Sequence, residues 1–201
     1  MSTPHEHLRS DARLGPLVER HGRLELDPAE DMFRRLVVSV LRQQVSMASA
    51  EATRARLFEA IEVTPAEVLA ADPETLRDCG LSRQKASYVR NIAEAFDGEY
   101  DRAHFEALDD EAIIEELTSI KGVGEWTARM QLLFALGRPD VFPVGDLGVR
   151  KGMCALFGEE LTREEMVTEA ERWAPYRSYA TLYLWRVDED VVEAVEEVIE
   201  E

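Results

Sequence analysis

Met32, Phe33, Leu36, Val37, Val40 and Leu41 recur at the 3.6-residue spacing that lines one face of a helix. Asp27-Pro28-Ala29-Glu30, just ahead of them, reads as a capping box with Pro at the first helical position, so a helix is predicted to open there. The same reading predicts helices from about Ala48 to Ile61, after Thr64-Pro65-Ala66-Glu67, after Asp72-Pro73, and from Ser82 to about Phe96. Further helices are predicted from Asp109 to near Ser119, from Glu125 to about Leu136 with Gly137 as the stop, and from Asp146 to Phe157. Thr162-Arg163-Glu164-Glu165 is another capping box, opening a helix to about Trp173. A last helix runs from Tyr176 to Val187, followed by an acidic amphipathic tail after Asp188. No segment alternates as a strand does, and Val141-Phe142 is too short to count. The pattern predicts an all-α protein of roughly ten helices. Gly137-Arg138-Pro139-Asp140 carries turn residues and reads as a hinge between two helical groups.

A chain of 201 residues, 45% apolar, suits one domain or two small lobes with a real core. It holds no apolar run long enough to span a membrane, and the N-terminal MSTPHEHLRSDAR lacks the apolar centre of a secretory signal. Cys79 and Cys154 make neither a disulfide framework nor the four thiolates of an iron–sulfur cluster, and a reducing cytoplasm is expected. The formal net charge is -18, from 41 acidic and 23 basic residues. Twenty of the basic residues are Arg and three are Lys. Abundant Asp and Glu with scarce Lys reads as a protein of concentrated salt, where self-repulsion is screened within about 3 Å at ~1 M. Such acidity argues against nucleic acid only where the rest of the proteome is not equally acidic.

Against this charge stands LTSIKGVGEWTARM, residues 117–130. A Gly-x-Gly between two apolar helical runs turns backbone amides, and the positive end of a helix dipole, outward toward an anion. Gly122 and Gly124 are expected to take backbone angles that a side chain would block. Ile120 and Val123 are the studs that lock the two helices, and Lys121 adds a cation at the tip. The stretch resembles the helix–hairpin–helix motif that binds the DNA backbone. The three lysines, Lys85, Lys121 and Lys151, all lie beside turn–helix junctions.

Some 22 residues beyond the hairpin, VFPVGDLGVRKG (141–152) places Asp146 at a helix start after a Pro-x-Gly turn. Asp146 either caps that helix or is a catalytic carboxylate held ionised at its N-terminus. LRQQVSMASA (41–50), GLSRQKASYVRNIAEAF (80–96) and ERWAPYRSYATLYLWR (171–186) complete the comparison. Together these stretches resemble the helix–hairpin–helix (HhH-GPD) DNA glycosylase superfamily, in its 3-methyladenine DNA glycosylase II (alkylbase) branch, over roughly residues 30–187.

The resemblance implies two helical lobes with a cleft between them, lobe A about 32–137 and lobe B about 1–31 plus 138–201. It implies a monofunctional glycosylase that hydrolyses the N-glycosidic bond of alkylated purines flipped out of duplex DNA, acting in base excision repair as a monomer on the nucleoid. Asp146 is then the catalytic residue, either stabilising the oxocarbenium sugar or deprotonating the attacking water. Trp185, Tyr176, Tyr179, Met130 and Trp126 fall at substrate-binding positions, an electron-rich ring selecting a cationic purine by cation–π stacking. Gln44, with Gln43 as second choice, fills the gap left by the extruded base. Lys85, Lys121, Gly122, Val123, Gly124, Arg150 and Lys151 complete the DNA contacts. No cofactor is required, but Na+ or K+ is implied on the backbone carbonyls of Thr118, Ile120 and Val123. This chain departs from the pattern in three ways. Trp126 stands where strand-cleaving relatives carry a lysine, Lys121 replaces a common hairpin proline, and the iron–sulfur cysteines are lacking. A same-fold glycosylase for uracil, hypoxanthine or 8-oxoguanine, and a non-catalytic DNA-binding module, are the alternatives. His5, His7, His21 and His104 show no metal-ligand spacing.

Overall fold

The computed structural model describes residues 2–98 and 100–187, and the tail predicted after Asp188 lies outside them. The described residues form an all-α fold in which no strand occurs. None of its helices is long and apolar enough to cross a membrane. The chain divides into two compact units, one comprising Ala29–Leu136 and the other joining Met1–Pro28 to Gly137–Glu201.

The central unit holds α3 (Met32–Arg42), α4 (Met47–Ala60), α5 (Pro65–Ala70), α6 (Pro73–Asp78), α7 (Arg83–Gly98), α8 (Arg102–Glu106), α9 (Asp110–Ser119) and α10 (Glu125–Phe134). Its helices pack α3 against α4, α7 and α10, with α5 laid on α7. The apolar face read at 32–41 is the centre of this packing: Leu36, Val37 and Val40 are fully buried. Val89, Ile92, Ile113, Leu117 and Leu132, from α7, α9 and α10, are equally buried in the core. The start of α3 departs from the predicted capping box. Residues 22–30 are not helical, and Asp31 caps α3 by accepting from the Arg34 amide at 2.9 Å. The Ala29 amide donates instead to the Phe134 carbonyl at 2.7 Å, one of the carbonyls left over at the end of α10. A tertiary bond thus outcompetes the local cap.

The second unit holds α1 (Pro4–Arg9), α2 (Gly15–His21), α11 (Leu147–Phe157), α12 (Arg163–Ala170) and α13 (Arg177–Leu184), with a 3-10 turn at Glu171–Trp173. α1, α2 and α8 lie outside the predicted set; at five to seven residues each they are too short for apolar periodicity to show. α1 nevertheless carries a full capping box of Thr3 and Glu6. α11 crosses α13 at Gly152, where a Cβ would stand 2.3 Å from the Leu184 carbonyl oxygen. That contact between backbones brings the first residues of α11 alongside the end of α13. Gly152→Ala must therefore part the two helices, at about 1–3 kcal/mol by the usual cost of overpacking. The denaturation midpoint is expected to fall accordingly, and an unchanged midpoint would mean the helices do not cross so closely.

Candidate active site and nucleic-acid interface

Asp146 is the N-cap of α11, and its Oδ1 accepts from the Val149 amide at 2.9 Å. The same oxygen accepts from the Trp185 indole Nε1 at 2.9 Å. Trp185 is the C-cap of α13 and only 4% exposed. The carboxylate is half-buried, at the positive end of one helix dipole and clasped by an indole from another. Capping and catalysis, set apart as alternatives on sequence, are thus compatible, because Asp146 caps through the oxygen that Trp185 also binds.

Tyr176 and Tyr179 are not beside that indole. At about 100° per residue, positions 179 and 183 share one face of α13, while 181 and 185 lie on roughly the opposite one. Tyr176 donates its hydroxyl to the Ser2 carbonyl at 2.8 Å and meets His7 and Tyr179 edge-on. Tyr179 meets His5 at 5.8 Å. The two tyrosines hold the N-terminal helix. Met130 is 4% exposed and turned inward with most of α10, whereas Trp126 is 42% exposed near the start of that helix.

The hairpin forms between α9 and α10. The Val123 amide closes the turn onto the Ile120 carbonyl at 3.0 Å, and both side chains are buried as studs. Gly122 takes φ 111, and a Cβ there would lie 2.3 Å from the Tyr88 ring. Gly124 does not need the freedom expected of it: φ is -94 with ψ 170, and a Cβ would meet nothing within 4 Å. Its bareness is on the open side, at the N-cap of α10, which no side chain caps. Lys121 is exposed at the tip. Two braces of the hairpin carried no sequence signal: Tyr88, against Gly122, and Asn91, whose amide donates to the Lys121 carbonyl at 2.9 Å.

Gln43 and Gln44 separate at the end of α3. Gln43 donates to the Gly122 carbonyl at 3.1 Å and is tied to the hairpin. Gln44 is exposed and holds φ 59, the only positive φ outside glycine among the described residues. Strained backbone of this kind gathers at functional loops. A hollow of about 470 Å³ lies beside it, lined among others by Gln43, Gln44, Ser82, Lys85, Tyr88 and Gly122. Lys85 is half-buried, its ammonium donating to the Leu41 carbonyl at the end of α3, and burial pushes its pKa below the ordinary lysine value. This lysine therefore serves α3 as well as any strand. Lys151 is exposed, while the Arg150 Nε is buried with no acceptor among the described residues.

The hairpin carbonyls sort in a way that bears on a cation. Asn91 and Gln43 occupy the carbonyls of Lys121 and Gly122. Among the described residues no side chain donates to those of Thr118, Ile120 and Val123, although Ile120 already accepts the turn amide. The three carbonyls expected to hold a monovalent ion thus keep acceptor capacity for it.

The description "HhH-GPD superfamily base excision DNA repair protein" matches residues 37–178, and the chain belongs to that superfamily. It is similar to DNA-3-methyladenine glycosylase 1 of Schizosaccharomyces pombe, 35% identical over 166 residues, covering 78% of this chain and 72% of the relative. Against a Bacillus subtilis relative it spans 66% of that protein's length, just under two thirds. Among solved structures it resembles a DNA-3-methyladenine glycosidase from Bacillus halodurans, with a TM-score of 0.86 and 32% identity over 100% of this chain and 97% of that one. It also resembles the S. pombe 3-methyladenine DNA glycosylase in complex with abasic DNA, with a TM-score of 0.80 and 33% identity over 92% and 96% of the two chains.

Proposed function

We propose that the chain is a monofunctional DNA glycosylase of base excision repair that releases alkylated purines of the 3-methyladenine and 7-methylguanine type. The observation that carries this reading is the hydrogen bond from the Trp185 indole to Asp146, in a chain whose relatives bear the name DNA-3-methyladenine glycosylase. A stacked base is out of reach, so the nucleotide rotates out of the duplex. The bare N-terminus of α10, with Lys121 at the tip, takes the phosphates. Gln44 occupies the place of the extruded base, its neighbour Gln43 being held by the hairpin. The carbonyls of Thr118, Ile120 and Val123 would hold a monovalent cation, whose charge would offset the local acidity where the phosphates approach.

The bond from C1′ to the base nitrogen then breaks, and its electron pair leaves with the base. An alkylated purine is already cationic, so it departs neutral without needing a general acid. Asp146 opposes the positive charge that grows on the sugar, or takes the proton of the water that attacks C1′. The products are free base and an abasic site. Because Trp185 is buried, we assign its indole first to holding this carboxylate, and stacking on the base second.

Base release from duplexes carrying alkylated purines, uracil, hypoxanthine or 8-oxoguanine tests the reading, run in about 2 M KCl so that self-repulsion is screened. Release confined to a non-alkylated base would replace the substrate, and DNA binding without any release would leave a binding module. Trp126 offers no amine where strand-cleaving relatives hold lysine. Borohydride is accordingly expected to trap no covalent enzyme–DNA adduct on a denaturing gel, and a trapped band would contradict the monofunctional reading.

A further inference from the structure

Arg177 and Ser178, at the start of α13, grip the segment that leads to Asp146. Arg177 makes a two-pronged ion pair with Asp140, Nε to Oδ1 at 2.8 Å and Nη2 to Oδ2 at 3.0 Å. The Arg177 backbone amide donates to the same Oδ1 at 3.1 Å, and a third arm of the guanidinium reaches Glu171 at 2.9 Å. Ser178, fully buried, donates its hydroxyl to the Arg138 carbonyl at 2.6 Å and accepts from the Val141 amide at 2.8 Å. Its own amide donates to the Pro139 carbonyl at 3.0 Å. Two adjacent residues thus fix 138–141. From there a tight turn, closed by the Asp146 amide on the Pro143 carbonyl at 2.8 Å, delivers the carboxylate to Trp185. One helix, α13, holds the loop at both ends.

We infer that Arg177, Ser178 and Asp140 are positioning residues for the reaction: they set where the Asp146 carboxylate stands relative to the Trp185 indole. The inference rests on the glycosylase reading for its kinetic consequence but not for its geometric one. Bidentate guanidinium–carboxylate pairs fix direction as well as distance. Buried hydroxyls bonded on both sides leave a backbone segment one position to occupy. A misplacement of about 1 Å at a reacting group costs on the order of 100-fold in rate.

Asp140→Asn, Ser178→Ala and Arg177→Lys test this. Asp140→Asn is the mildest, since it keeps an oxygen for the Arg177 amide while turning an NH2 against the guanidinium. Two readouts are taken on the full chain. In the first, single-turnover base release at saturating enzyme is expected to fall by about 10- to 100-fold. Affinity for duplex containing an abasic analogue should change by less than about threefold, since phosphate contacts dominate it. In an Asp146→Asn background the same substitutions are expected to cost nothing further, because groups acting as a unit are not additive. A loss that adds fully to that of Asp146→Asn, or rates equal to wild type, overturns the inference. The second readout needs no turnover. The chain has three tryptophans, so three indole N–H resonances, of which Trp185→Phe removes one and so identifies it. The Trp185 resonance is expected to shift in each variant toward its position in Asp146→Ala. If it stays at the wild-type position in Asp140→Asn, the clamp does not position the carboxylate, whatever lesion the enzyme removes.

Discussion

Asp146→Asn is expected to lower single-turnover base release by about 100-fold or more, the scale on which a lost electrostatic contact to a developing charge is felt. The substitution is close to isosteric. An amide oxygen can still accept from Val149 and Trp185, so the cap of α11 and the packing around it are expected to persist. What disappears is the negative charge, and with it both routes open to this side chain. A neutral amide neither balances an oxocarbenium nor takes a proton from water. Affinity for an abasic duplex is expected to change little, because Asp146 belongs to a different unit from the hairpin at 120–124. Separate titrations of binding and of base release check the claim. Retention of more than about a tenth of the wild-type rate would remove Asp146 from the chemistry, the expected loss being far larger.

The second large effect contrasts the two hairpin glycines. Gly122→Ala must place a Cβ into the Tyr88 ring while keeping φ 111. The backbone term costs roughly 1–2 kcal/mol and the overpacking about 1–3 kcal/mol. Against a whole stability of about 5–15 kcal/mol, that is enough to loosen the turn. Both the denaturation midpoint and DNA affinity should fall. Gly124→Ala, by contrast, meets open space and an unstrained φ. It is expected to stay within about 1 kcal/mol of wild type in stability and still to lose about tenfold in DNA affinity, about 1.4 kcal/mol. The affinity falls because a methyl group would then stand where a phosphate approaches. If Gly124→Ala binds duplex as tightly as wild type, the strand does not pass over this turn.

The hairpin was legible because everything that makes it is local: two studs, two glycines and the helices on either side lie within 14 residues. The caps at Thr64, Asp72, Asp109, Asp146 and Thr162 were legible for the same reason. The cap at Asp27 was misread because a long-range bond from Ala29 to Phe134 outbids it, and no local pattern reports that. The separation of Tyr179 from the Trp185 indole was already present in the sequence. Helical phase alone puts Tyr179 and Trp185 on different faces, however close they lie along the chain. Lys85 as a brace for α3, Asn91 as a brace for the hairpin, and the left-handed turn at Gln44 depend on tertiary neighbours, which a single chain of letters does not display.

The crossing at Gly152 has a bearing on how this unit tolerates change. The spacing between α11 and α13 is set where main chain touches main chain, with no side chain interposed to act as a shim. Apolar residues around Val149, Met153 and Leu182 are therefore free to drift among similar volumes without altering the separation of carboxylate and indole. The reach of the active centre is thereby insulated from ordinary core variation, and the vulnerability is concentrated at one position, where even a single methyl group forces the helices apart.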